Sequence, residues 1–100
     1  MKKNDKLNLI LQKLRLLLPL LNKKYQVKSL GVFGSYVHGT QKRNSDLDIL
    51  IEFEEKPGLL KFIEIENYLS DELGLKVDLV MQSALKRHIG KRILSEVVGI

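Results

Sequence analysis

The chain of 100 residues contains no cysteine. Neither a disulfide framework nor a thiolate metal site is available to it, which suits a reducing compartment. An uninterrupted apolar run is missing as well. Lys2 and Lys3 precede a leucine-rich stretch in the manner of a signal peptide, but Asn8, Gln12, Lys13 and Arg15 interrupt that stretch at helical spacing. The pattern is that of an amphipathic helix, so neither export nor a membrane span is expected and a cytoplasmic location is the default. There is no internal repeat and no low-complexity segment. Strong charge imbalance is also lacking. A formal net charge of +5 favours phosphates, nucleic acid or an acidic protein, yet it is too small an excess to choose among them. What is present is an apolar share of 44%, enough for one modest core and a single domain over residues 1–100.

Asn4 or Asp5 is placed to cap a helix from about Lys6. Leu7, Ile10, Leu11, Leu14, Leu17, Leu18 and Leu21 recur at threes and fours and make one broad apolar stripe. Leu9 and Leu16 lie off it. Pro19 removes an N–H and crowds the preceding turn, predicting a kink or break and a short second helix to about Lys24. Lys28 to Phe33 reads as a strand ending at glycine, Ser35 to about His38 as a brief helix, and Gly39 to Ser45 as a polar loop. Asp46 to Phe53 alternates: Leu47, Ile49, Ile51 and Phe53 face one way, Asp46, Asp48, Leu50 and Glu52 the other. After a Pro57-Gly58 turn, Leu59, Phe62, Ile63, Leu69 and Leu73 line one side of a helix that Gly74 stops. Lys76 to Met81 is a third strand. Ser83 is placed to cap a final basic helical region, with Gly90 bending or dividing it. The order α-β-α-β-α-β-α predicts an α/β (α+β) domain built on a small mixed three-stranded sheet. The long crossover favours a parallel second pair, and the short link allows an antiparallel first pair.

Two weak signals become one stronger signal in this frame. Asp46 and Asp48 stand two apart on a strand, so their carboxylates share a face and repel one another unless neutralised. An oxygen-only donor set suits magnesium or manganese, and Asp78 on the neighbouring strand supplies a third carboxylate. Taken alone, an aspartate pair at a strand start is more often a solvated turn feature. Gly34-Ser35, at a strand end and a helix start, exposes backbone N–H groups and a hydroxyl to an anion. Gly-Ser is also a common turn. One strand arrangement brings both features to the same sheet edge, where together they suit a nucleoside triphosphate and its metal.

The segment GSYVHGTQKRNSDLDILIEF resembles the Gly-Ser-x10-Asp-x-Asp signature of the polymerase β-type nucleotidyltransferase superfamily. More closely, the chain is similar from about Lys28 through Val80 to the minimal nucleotidyltransferase antitoxins that pair with HEPN-domain toxins. That resemblance implies the polymerase β-like fold, with Gly34 and Ser35 on the triphosphate of ATP and Asp46 and Asp48 on magnesium. It implies that Asp78 completes the metal site or assists deprotonation of the attacking hydroxyl. Relatives often read Gly-Ser-Tyr-Ala-Arg-Gly, whereas Val37-His38 occupies the Ala-Arg slot; His38 is then a phosphate donor whose charge depends on pH.

The implied activity is a protein adenylyltransferase that moves AMP from ATP to a tyrosine of a HEPN ribonuclease toxin and so neutralises it. The chain offers little beyond a catalytic core, so a partner protein is expected to bring the acceptor; nucleic acid is not expected as a direct partner. Two alternatives compete: an antitoxin acting by binding alone, through the leucine-rich first helix and basic last helix, and a transferase for a small hydroxylated molecule. The remaining candidates have blander readings. Lys42 and Arg43 are solvated loop cations, the basic cluster of the last helix is a solvated face, Tyr36 and Tyr68 are packing residues, Tyr25 is a linker residue, and His88 has no companion at metal-ligand spacing.

Overall fold

The computed structural model describes residues 5–100. The predicted Asn4 cap and the Lys2-Lys3 pair lie outside the described residues. Helix α1 (Asp5–Tyr25) leads into β1 (Val27–Phe33), the single-turn α2 (Ser35–His38), β2 (Leu47–Phe53), α3 (Leu59–Leu73) and β3 (Val77–Met81). A 3-10 turn (Gln82–Ala84), α4 (Arg87–Glu96) and a two-residue strand β4 (Val98–Gly99) follow. No described helix is long and apolar enough to cross a membrane.

The sheet has four strands in the order β3-β2-β1-β4, not three. β1 and β2 are antiparallel, which their link allows, and β2 and β3 are parallel, which the long crossover favours. The added strand is the tail, where Val98 and Gly99 pair with Val32 and Gly31. Two residues carry too little pattern for a strand to be read in the sequence.

The core lies between one sheet face and α1 with α3. Leu7, Ile10, Leu11, Leu14, Leu17, Leu21 and Tyr25 bury one stripe of α1 against Val27, Leu30 and Val32 of β1 and Leu47, Ile49 and Ile51 of β2. Each such side chain contributes roughly 1.5–3 kcal/mol by leaving water. Leu18 is only half-buried, and Leu9 and Leu16 are exposed as their spacing predicts.

Four local expectations are corrected. Helix α1 runs unbroken through Pro19, because the proline sits on the exposed face. On an exposed face water can reach a carbonyl that a proline leaves without its N–H donor, so the missing bond costs less than in a core. Tyr25 is not a linker residue: it ends α1, is buried, and donates its hydroxyl to Glu64 at 2.5 Å. On α3 the inward residues are Phe62, Ile65, Leu69 and Leu73, while Leu59 and Ile63 are exposed. Finally, Ser83 caps nothing. It lies in the 3-10 turn, and α4 starts behind Lys86 and continues through Gly90, which is buried against Leu85 because an added Cβ would meet the Leu85 Cβ at 3.1 Å.

Candidate active site

Strand β2 carries its apolar residues toward the helices, so Asp46, Asp48, Leu50 and Glu52 fall on the other face. Leu47, Ile49 and Ile51 are fully buried, which pins the register. A one-residue slip would drive Asp48 into the core. Asp46 stands just ahead of the strand, where the neighbouring Leu47 N–H donates to the Lys76 carbonyl at 2.8 Å. On the parallel neighbour, Asp78 is the direct partner of Asp48, and Phe33 is its partner on β1. The two carboxylates are therefore side by side by backbone pairing alone.

Their electrostatics follow from that placement. Burial, with Asp78 and Asp46 nearby and a side-chain hydrogen bond to Asp78, pushes the Asp48 carboxyl up to about 6. Desolvation and like charge both disfavour the ionised form. Asp48 and Asp78 thus stand as neighbouring acids on paired strands, with Asp46 close enough to add to the repulsion. Among the described residues, no three acidic or histidine side chains converge closely enough to hold a metal ion as they stand.

The glycine turn abuts the same pair. Gly34 has φ 80° and ψ −150°, and a Cβ built on it would lie 2.3 Å from Asp48 Oδ2. Any other residue would be strained in the backbone and would collide with the carboxylate. Its carbonyl accepts the N–H groups of Val37 at 3.0 Å and His38 at 3.2 Å, closing α2. The Ser35 carbonyl accepts from Thr40 at 3.0 Å, which anchors the start of the polar loop. Within that loop, Lys42 N–H donates to Ser45 Oγ at 2.8 Å. Lys42 and Arg43 are both exposed. Tyr36 is buried, as its packing role requires.

His38 behaves differently from the other expected site residues. It is half-exposed at the end of α2, and its Nε2 lies 3.3 Å from Glu96 Oε2 on α4. The other oxygen of Glu96 lies 3.7 Å from Arg92 Nε. Sequence reasoning placed Arg92 in the solvated basic cluster of the last helix and did not single out Glu96, because no spacing links residue 38 to residue 96. A depression of about 360 Å³ lined by Arg43, Asn44, Ser45, Asp46, Gly74, Leu75 and Lys76 opens beside Asp46. A larger one of about 510 Å³, around Glu52, Glu54, Met81 and Gln82, lies at the opposite end of β2 and β3 and contains none of the expected site residues.

Comparison with known proteins bears on the family and the fold. A family model described as a nucleotidyltransferase domain matches residues 14–99. The protein adenylyltransferase MntA of Thermococcus cleftensis is 59% identical over 80 residues, which cover 80% of this chain and 81% of that protein. A solved structure assigned as a minimal nucleotidyltransferase superposes with a TM-score of 0.79 at 29% identity, covering 96% of each chain. A crystal structure of a toxin–antitoxin with AMP-PNP superposes with a TM-score of 0.72 at 26% identity, covering 88% of this chain and 69% of that one.

Proposed function

Because the chain belongs to the nucleotidyltransferase domain family, we propose that it is an antitoxin adenylyltransferase that moves AMP from ATP to a tyrosine of a partner HEPN ribonuclease toxin. The observation that carries this reading is the contact of Gly34 with Asp48, with Asp78 beside it in register. That closeness supports reading the Gly-Ser turn and the aspartates as parts of one site. The 59% identical relative is a protein adenylyltransferase, and a similar fold occurs in a toxin–antitoxin with an ATP analogue.

In this reading the Gly34–Ser35 turn receives the triphosphate, through backbone N–H groups that glycine leaves uncovered and the Ser35 hydroxyl. Asp46, Asp48 and Asp78 are the residues that would hold magnesium or manganese. The donor chemistry fits, being oxygen throughout, and Asp48 is a carboxyl that a nearby cation would return to its charged form. Such an ion, when bound, lowers the pKa of the attacking hydroxyl and stabilises charge on the departing pyrophosphate. Asp78 is the most exposed of the three, which leaves it open to an incoming tyrosine hydroxyl. The protein's remaining work is to hold the α-phosphorus in line with that hydroxyl, since phosphoryl transfer depends chiefly on positioning and electrostatics. The acceptor arrives on the partner.

The test is transfer of α-labelled ATP, with magnesium, to the purified toxin. Label is expected on tyrosine with the wild-type chain and not with Asp46→Asn/Asp48→Asn. Absence of label on the toxin with both aspartates intact would sink the enzymatic reading. A binding-only antitoxin is the second reading, favoured by Leu9, Leu16 and Leu20, which leave an apolar stripe of α1 at 66%, 74% and 58% exposure. Neutralisation of the toxin that survives the double aspartate substitution would select it.

A further inference from the structure

The surroundings of His38 place two further charged side chains beside the nucleotide turn. His38 closes α2, one helical turn from Ser35. Its Nε2 is 3.3 Å from Glu96 Oε2, so a carboxylate stands close to the turn proposed to receive the triphosphate. Left uncompensated, that carboxylate would repel the phosphates. An arginine at position 38 would neutralise it permanently, whereas a histidine does so only when protonated. Arg92, one turn earlier on α4, lies with Nε 3.7 Å from the other Glu96 oxygen.

Glu96 cannot easily move away. It is the last residue of α4, and the next residues bind the tail to the strand that ends in Gly34. Val98 pairs with Val32 and Gly99 with Gly31. A Cβ on Gly31 would lie 2.6 Å from Val97 Cγ2, so the glycine lets this tail approach closely. The Glu96 side chain is largely covered, at 29% exposure, whereas that of Arg92 is 81% exposed. A largely covered acid is thus paired with an exposed base.

We infer that Glu96 positions His38 at the nucleotide turn and that Arg92 is the compensating cation that keeps Glu96 from repelling the triphosphate. The inference rests on the nucleotide reading of the Gly34–Ser35 turn. It assigns Arg92 an electrostatic role in nucleotide affinity, not a structural one, because an exposed pair adds little to stability.

The experiment measures AMP-PNP affinity, with magnesium, by calorimetry at low salt for four chains: wild type, Arg92→Ala, Glu96→Gln and the double variant. Arg92→Ala is expected to weaken binding roughly three- to tenfold, the scale for one unscreened charge near a polyanion at surface distances. Its melting temperature should stay close to wild type. Glu96→Gln keeps an oxygen for His38 but removes the charge, so it should bind at least as tightly as wild type. The double variant should recover wild-type affinity, and the Arg92→Ala defect should shrink in about 0.5 M salt. Unchanged affinity in Arg92→Ala overturns the inference and leaves the nucleotide reading intact. A double variant as weak as Arg92→Ala overturns it too, because Arg92 would then act on the nucleotide directly. If the wild type does not bind AMP-PNP, both the inference and the nucleotide reading fall.

Discussion

Asp48 shows how one side chain trades stability for chemistry. In the folded chain its carboxyl keeps its proton up to about 6, against 3.8 for the ordinary group. Below about 4 both states are protonated. Between there and about 6 the unfolded chain releases its proton first, so the metal-free protein loses stability as pH rises through that window. Above it the cost stays constant. Asp48→Asn should abolish this slope and raise the melting temperature at pH 7 by a few degrees. That corresponds to roughly 1 kcal/mol once the partial exposure of the group is discounted. The same variant should lose roughly two orders of magnitude or more in AMP transfer. Thermal melts from pH 4 to 8, alongside labelled-ATP assays, check both halves. At this scale much of the site was legible. Glycine and aspartate types at Gly34, Asp46, Asp48 and Asp78 point to anion and cation binding because few other residue types do that work. The partner of His38 was not legible, since the Glu96 contact depends on where α4 ends.

Among the elements, α3 is the one whose orientation the sequence misled. Leu59 and Ile63 continue an apolar row with Phe62 and Leu69, yet the structure exposes them and turns Ile65 inward beside Leu69. The helix has apolar residues on more than one side, so periodicity alone leaves its rotation open. Polar side chains settle it. Glu66 accepts the Leu79 N–H at 2.9 Å and Ser70 Oγ accepts the Val77 N–H at 3.1 Å, both from the outer edge of β3. These bonds satisfy backbone donors that an edge strand would otherwise expose, and they stand in the way of another strand adding there. Glu66→Ala should therefore cost about 1–2 kcal/mol and speed amide exchange at Leu79, with little change at the β1–β2 pairs. Hydrogen exchange resolves the two regions. Uniform acceleration across the sheet would show that Glu66 supports the whole fold and not this edge.

For the molecule as a whole, the tail joins the sheet to the site. β4 extends the sheet beyond β1, and Val97 and Ile100 pack with it. Truncation after Glu96 should cost about 2–4 kcal/mol in apolar burial and strand hydrogen bonds. It should also weaken AMP-PNP binding, because the strand leading into Gly34 loses its outer partner. Melting curves and calorimetry on the truncated chain test this; unchanged nucleotide affinity would uncouple the tail from the turn. The sequence by itself determined the order of the elements up to α4, the buried stripe of α1, the preference for a parallel second pair, and the Gly-Ser and aspartate signature. Those depend on local periodicity, loop length and residue chemistry, all written in neighbouring positions. Only the tertiary structure decided the fourth strand, the rotation of α3, the contact of Gly34 with Asp48 and the Glu96 bridge from His38 to Arg92. Each is a meeting of segments whose partners lie on different elements, and packing rather than local pattern brings them together.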